Sequence, residues 1–162
     1  MSPLEWTLFF KAATAAAAGF AIGREREAHG SPAGDRTLAL VALGAAALTG
    51  LGMFAFPDHV ARIIAGVITG VGFLGTGVIM RDGSGVVRGL TSAACIWTVA
   101  AVGVVIGAGH YWLGLALAGL VMLLLLCDRL PITKPADPAH QPEFRGRQDA
   151  LSPSDQSPPA TG

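Results

Sequence analysis

The sequence predicts an all-α, polytopic membrane protein: a bundle of about five transmembrane helices followed by a disordered tail. Three observations predict it. Over half of the 162 residues are hydrophobic and only 14% are charged. Apolar stretches of about 17–20 residues recur along the chain, the length that a hydrocarbon core of about 30 Å requires. Beyond residue 130 the character changes, because seven of the ten prolines lie there and apolar periodicity stops. The mean hydropathy is +0.55 in spite of that tail. The expected division is therefore a membrane domain over 1–127 and a disordered, proline-rich cytoplasmic tail over 128–162.

Segment one runs from about Leu4 to Ile22. It ends in Gly23-Arg24-Glu25-Arg26-Glu27 and not in small residues that a signal peptidase would cut, so it reads as an uncleaved membrane helix. Lys11 lies a third of the way along it. A lysine near the middle of the bilayer costs roughly 2–3 kcal/mol on insertion scales, so Lys11 is expected either to snorkel or to pair with Glu5 or Asp58. A polar loop, Gly23 to Arg36, carries Pro32, several glycines and charges of alternating sign. Segment two, Thr37 to Phe56, is rich in Ala, Leu and Gly and is expected to pack closely. Pro57-Asp58-His59 forms a turn. Segment three, Val60 to Met80, carries Arg62 in its first turn. Segments four and five run from Leu90 to Ile106 and from Tyr111 to Cys127.

Segment three is the most unusual. Gly66, Gly70, Gly72, Gly75 and Gly77 fall within it. Glycine costs about 1 kcal/mol relative to alanine in a soluble helix, but in lipid small residues let helices approach closely. Gly66 and Gly70 form one GxxxG pair, and Gly72 with Thr76 forms a small-xxx-small pair on another face. Small residues on several faces predict a helix near the centre of the bundle. An alternative use of the same glycines is a broken helix whose open carbonyls line an ion path.

Topology follows from charge. With the amino end outside, nine of the eleven Lys and Arg residues fall on the cytoplasmic side, leaving only Lys11 and Arg62 near the outer one. The outer edge would then carry Trp6, Phe54, Phe56, Tyr111 and Trp112 as an aromatic belt. The positive-inside rule thus expects an outside amino terminus and a cytoplasmic tail, with membrane lipids as immediate surroundings.

Net charge is zero, so no basic stripe argues for nucleic acid. The histidines show no ligand spacing, no P-loop ending or nucleophile–base pair is present, and no enzyme activity or cofactor is expected. Cys95 and Cys127 lie in apolar segments and read as small packing residues. The acids lie at segment edges and not at mid-membrane, where a transported divalent cation would most need one. What remains are two charged layers: an outer one of Glu5, Lys11, Asp58 and Arg62, and an inner one that includes Glu25, Arg26, Arg36 and Arg88. Each can staple helix ends or meet a partner.

Several separated motifs resemble the MgtC/SapB family of bacterial inner-membrane proteins. They are Glu5 and Lys11, Gly23 with Glu25-Arg26-Glu27, Pro32-Ala33-Gly34, Arg36-Thr37, Leu43-Gly44-Ala45, Asp58 and Arg62. The most specific are the run Gly70 to Ile79, then Arg88-Gly89-Leu90-Thr91 and Trp97. The resemblance implies a small multi-helix membrane protein tied to growth at low magnesium and, in some pathogens, to virulence. Its link to Mg2+ would be indirect, through contact with another membrane protein such as ATP synthase, or through a homo-oligomer. A small oligomeric cation transporter or channel is the alternative. Longer members end in a soluble domain, so this chain reads as a short member.

Overall fold

Ser2 starts the first helix by a reciprocal capping box. Its hydroxyl accepts from the Glu5 N–H, while the Glu5 carboxylate accepts from the Ser2 N–H. Helix α1 then runs over Pro3–Ala28. The structure is a computed structural model, and it describes residues 2–81 and 87–127, without the side chains of Met80 and Arg81. The expected tail over 128–162 and the polar hinge residues 82–86 lie outside the described residues. After α1 come α2 (Asp35–Ala55), a 3-10 turn (Pro57–His59), α3 (Val60–Val78), two short strands, α4 (Leu90–Gly107) and α5 (Tyr111–Cys127).

The protein is thus a multi-pass membrane protein built from helices. Pro3–Ala28, Asp35–Ala55, Pro57–Val78 and Leu90–Gly107 are long and apolar enough to cross a membrane, and the apolar α5 is shorter, at 17 residues. Two boundaries differ from expectation. The segment Gly23 to Ala28 is not loop but the last turns of α1, since Arg and Glu are good helix formers and Arg26 suits the negative end of the helix dipole. The helix stops at His29, after which Gly30 takes a left-handed conformation at φ +67°. The polar hinge also holds β1 (Met80–Arg81) and β2 (Val87–Arg88), paired antiparallel with Met80 opposite Arg88. Gly89 follows β2 and stands at the N-cap of α4 with φ +87°, where a Cβ would run into the Val78 carbonyl oxygen. Only glycine fits there.

The centre of the bundle is α4, not α3. Half of the α4 span is buried within the protein, against 17% of the span that contains α3. Cys95, Ile96, Val99, Val102 and Ile106 of α4 are buried against Ala15, Ile22, Leu38, Ala42 and Ala46 of α1 and α2. Here backbone meets backbone. A Cβ on Gly107 would lie 2.5 Å from the Ala46 carbonyl oxygen, and one on Gly103 would strike the Ala42 carbonyl. A Cβ on Gly19 of α1 would likewise lie 2.5 Å from the Leu38 carbonyl oxygen of α2. Cys95 fills this core as expected; Cys127, at the far end of α5, is exposed and does not.

Two ends follow from the connections. One holds the α1–α2 turn and the β hairpin. The other holds the α2–α3 and α4–α5 turns, and there Trp6, Phe54, Phe56 and Trp112 are exposed beside a half-buried Tyr111, in keeping with the expected belt. Trp6 stacks on Phe10 with ring centres 5.9 Å apart, and Phe9 meets both edge-on.

Candidate functional site

Helix α3 is continuous from Val60 to Val78. Its backbone bonds stay within the helix, so the broken-helix expectation is not met. The hydroxyls are satisfied locally as well: Thr69 donates to the Ala65 carbonyl at 2.9 Å and Thr76 to the Phe73 carbonyl at 2.8 Å. The buried residues of α3 are Val71 and Gly75.

The glycines expected to pack inside the bundle face out of it. A Cβ added to Gly66, Gly70, Gly72 or Gly77 would meet nothing within 4 Å. Gly75 is the exception, with Ala93 of α4 at 3.7 Å, an ordinary contact distance. The physical reason is the direction of the faces: Val71 and Gly75 point to α4, which leaves Gly66 and Gly70 on the side away from it. Between α2 and α3 this leaves an apolar groove of about 410 Å³, lined by Gly44, Gly66 and Gly70 together with Leu40, Leu48 and Ile63. Gly44 also has nothing within 4 Å.

The inner charged layer does assemble. Arg24 pairs with Asp35 at 3.7 Å. The Glu27 carboxylate accepts from the Asp35 N–H at 3.1 Å, and Asp35 accepts from the Arg36 N–H at 2.6 Å. Gly34 has no side chain with which to cap α2, and Glu27 of α1 does so from across the turn. His29 returns to Glu25, with Nδ1 at 3.3 Å from the carboxylate. The Glu25 side chain is 9% exposed, while the guanidinium Nε of Arg26 is buried without a hydrogen-bond partner. Arg36 and Arg88 are exposed. The chemistry of this layer is to clamp helix ends.

The outer layer does not form. Lys11 pairs with neither Glu5 nor Asp58; its ammonium donates to the Gly107 carbonyl at 3.0 Å. It therefore caps the carboxy end of α4, where the helix dipole is negative and carbonyls lack donors. Glu5 serves the α1 capping box instead. Asp58 and Arg62 are exposed, and among the described residues neither has a hydrogen-bond or ion-pair partner. No group of three or more His, Cys, Asp or Glu side chains is placed to hold a metal ion among the described residues.

Sequence reasoning passed over Gly103, Gly107 and Gly19, although the signal was there: Gly19 with Gly23, and Gly103 with Gly107, are GxxxG pairs like Gly66 with Gly70. The Lys11–Gly107 contact had no such signal, since it joins residues 96 positions apart.

Comparison with known proteins then decides the kinship. The sequence model of the MgtC family matches residues 13–130. The chain belongs to the MgtC family. Its MgtC-family relatives include Protein MgtC of Salmonella typhimurium, 42% identical over 123 residues that make up 76% of this chain and 51% of that protein. YhiD of Escherichia coli K12, whose given name proposes a magnesium transporter, is 45% identical over 117 residues, 67% of this chain and 53% of that one. Protein SrpB of Synechococcus elongatus is 43% identical over 122 residues, 67% of each chain. The chain thus spans about half the length of the first two. No solved structure matches.

Proposed function

We propose that this MgtC-family chain supports magnesium homeostasis and growth at low magnesium by regulatory helix–helix contact with another membrane complex. The observation that carries the reading is the outward glycine face of α3. Glycines that meet nothing in their own bundle are small residues kept where a neighbouring helix can approach closely. Family membership and the printed names of the relatives supply the magnesium link. ATP synthase is the candidate complex, as the family resemblance suggests. The proposed location is the bacterial inner membrane with the amino end outside and the carboxy end cytoplasmic, supported by the placing of nine of the eleven Lys and Arg residues.

The test is co-purification of ATP synthase subunits with the native chain and with Gly72→Leu, a substitution into open space on α3. The reading expects the subunits with the native chain and their loss with the variant; an unchanged partner set counts against it. Growth of a deletion strain across a magnesium series checks the homeostasis half. The name of YhiD favours a second reading, an oligomeric cation transporter. Magnesium flux into proteoliposomes decides that one, and flux no greater than into empty vesicles ends it.

A further inference from the structure

We propose that the outward stripe of α3 is the interface of a homodimer, in which Arg62 of each protomer pairs with Asp58 of the other. The inference rests on reading α3 as a contact helix and adds a second copy of this chain as its occupant.

Arg62, Gly66, Gly70, Phe73 and Gly77 follow one another at helical spacing, so they lie along one face. Val71 and Gly75, the residues buried against the rest of the bundle, lie on the opposite one. Phe73 is 80% exposed, and Gly66, Gly70 and Gly77 open onto empty space. Such a face lets two helix backbones approach closely in lipid. Beside it, the groove between α2 and α3 gives the edge of a second helix somewhere to sit.

The charges decide which helix. Arg62 opens the stripe and Asp58 lies four residues before it, in the 3-10 turn that leads into α3; both are exposed and neither has a hydrogen-bond or ion-pair partner among the described residues. Lipid headgroups at this edge solvate either charge but impose no fixed order on the two. An unrelated helix would have to carry a cation and an anion in matching order. A second copy carries both by construction, because a two-fold interface that sets one residue against another repeats the contact in reverse. Copies inserted in the same direction place Arg62, in the first turn of α3, slightly deeper than Asp58 of the partner subunit, in the turn that precedes it. Helical side chains lean toward the amino end, which carries the long guanidinium back toward that carboxylate.

The experiment uses the full chain in vesicles of phosphatidylethanolamine and phosphatidylglycerol, labelled at Cys127, which is exposed. Energy transfer between protomers is read against the protein-to-lipid ratio. The native chain should show transfer that rises with that ratio. Gly70→Leu, Arg62→Asp and Asp58→Arg should each weaken association about tenfold, a loss of about 1.4 kcal/mol. The double variant Asp58→Arg with Arg62→Asp should recover it. Helicity by circular dichroism, unchanged in every variant, separates lost association from lost folding, since a Cβ on Gly70 meets nothing within 4 Å and neither Asp58 nor Arg62 has a hydrogen-bond or ion-pair partner among the described residues. Transfer absent from the native chain at every ratio means lipid covers the stripe and overturns the proposal. Single charge variants that associate like the native chain, or a double variant that stays weak, overturn it too. The outcome is independent of ATP synthase co-purification: an intact dimer with no captured subunits counts against the regulatory reading alone.

Discussion

Three GxxxG pairs lie within the described helices, and two of them do what the third does not. Gly103 and Gly107 of α4 lie against the carbonyls of Ala42 and Ala46, and Gly19 and Gly23 of α1 lie against the backbone of α2 at Leu38 and Asp35. Gly66 and Gly70 of α3 face open space. The residue types and spacing are the same. The difference teaches that a small-residue pair marks a place where backbone can meet backbone, and that the surroundings decide whether the meeting is within one chain or between two.

That comparison can be broken at its strongest point first. Gly107→Leu should prevent folding or cost more than about 3 kcal/mol, because even a Cβ would stand 2.5 Å from the Ala46 carbonyl and overpacking in a tight core costs about 1–3 kcal/mol or more. Thermal unfolding of the monomer, diluted in detergent, reads it, and Gly66→Leu in the same assay should melt with the native chain. If both variants melt alike, the contrast between closed and open pairs is wrong.

Gly89→Ala should cost about 1–3 kcal/mol, since it forces a left-handed conformation on a side chain aimed at the Val78 carbonyl. Limited proteolysis at the α3–α4 connection would follow the loosening. Lys11→Met should cost about 1.5–3 kcal/mol by removing a charged donor from the Gly107 carbonyl. Hydrogen exchange should then speed up in the last turn of α4 and leave α3 unchanged. Glu27→Ala removes the cap on α2 and should cost about 0.5–2 kcal/mol. The smallest effect belongs to the open pair: Gly66→Ala should leave the melting temperature of the monomer unchanged or raise it slightly, within about 1 kcal/mol.

Much of this was legible before any coordinates. The apolar lengths placed the helices, and the run from Gly70 to Ile79 pointed to the family. The expected central position of α3 failed for a physical reason. In a soluble protein a polar stripe says which side of a helix faces out. In α4 there is no such stripe, as Leu90–Gly107 is apolar all round, so nothing along its own length shows that it is enclosed. The glycines of α3 looked like packing residues, and which way they faced depended on where α2 and α4 lay. The polar run Gly23 to Ala28 misled in a different way: charge suggested a loop, while Arg and Glu propensity carried the helix on.

By itself, the sequence determined the membrane class, the places where helices begin and end apart from the carboxy end of α1, and the kinship, because hydropathy, chain breakers and motifs are properties of neighbouring residues. Only the tertiary structure decided that α4 is the enclosed helix, that Lys11 holds its carboxy end and that the glycines of α3 remain open. Those outcomes depend on which faces meet across tens of residues, and in a chain whose helices are apolar on every side, local pattern does not aim a face.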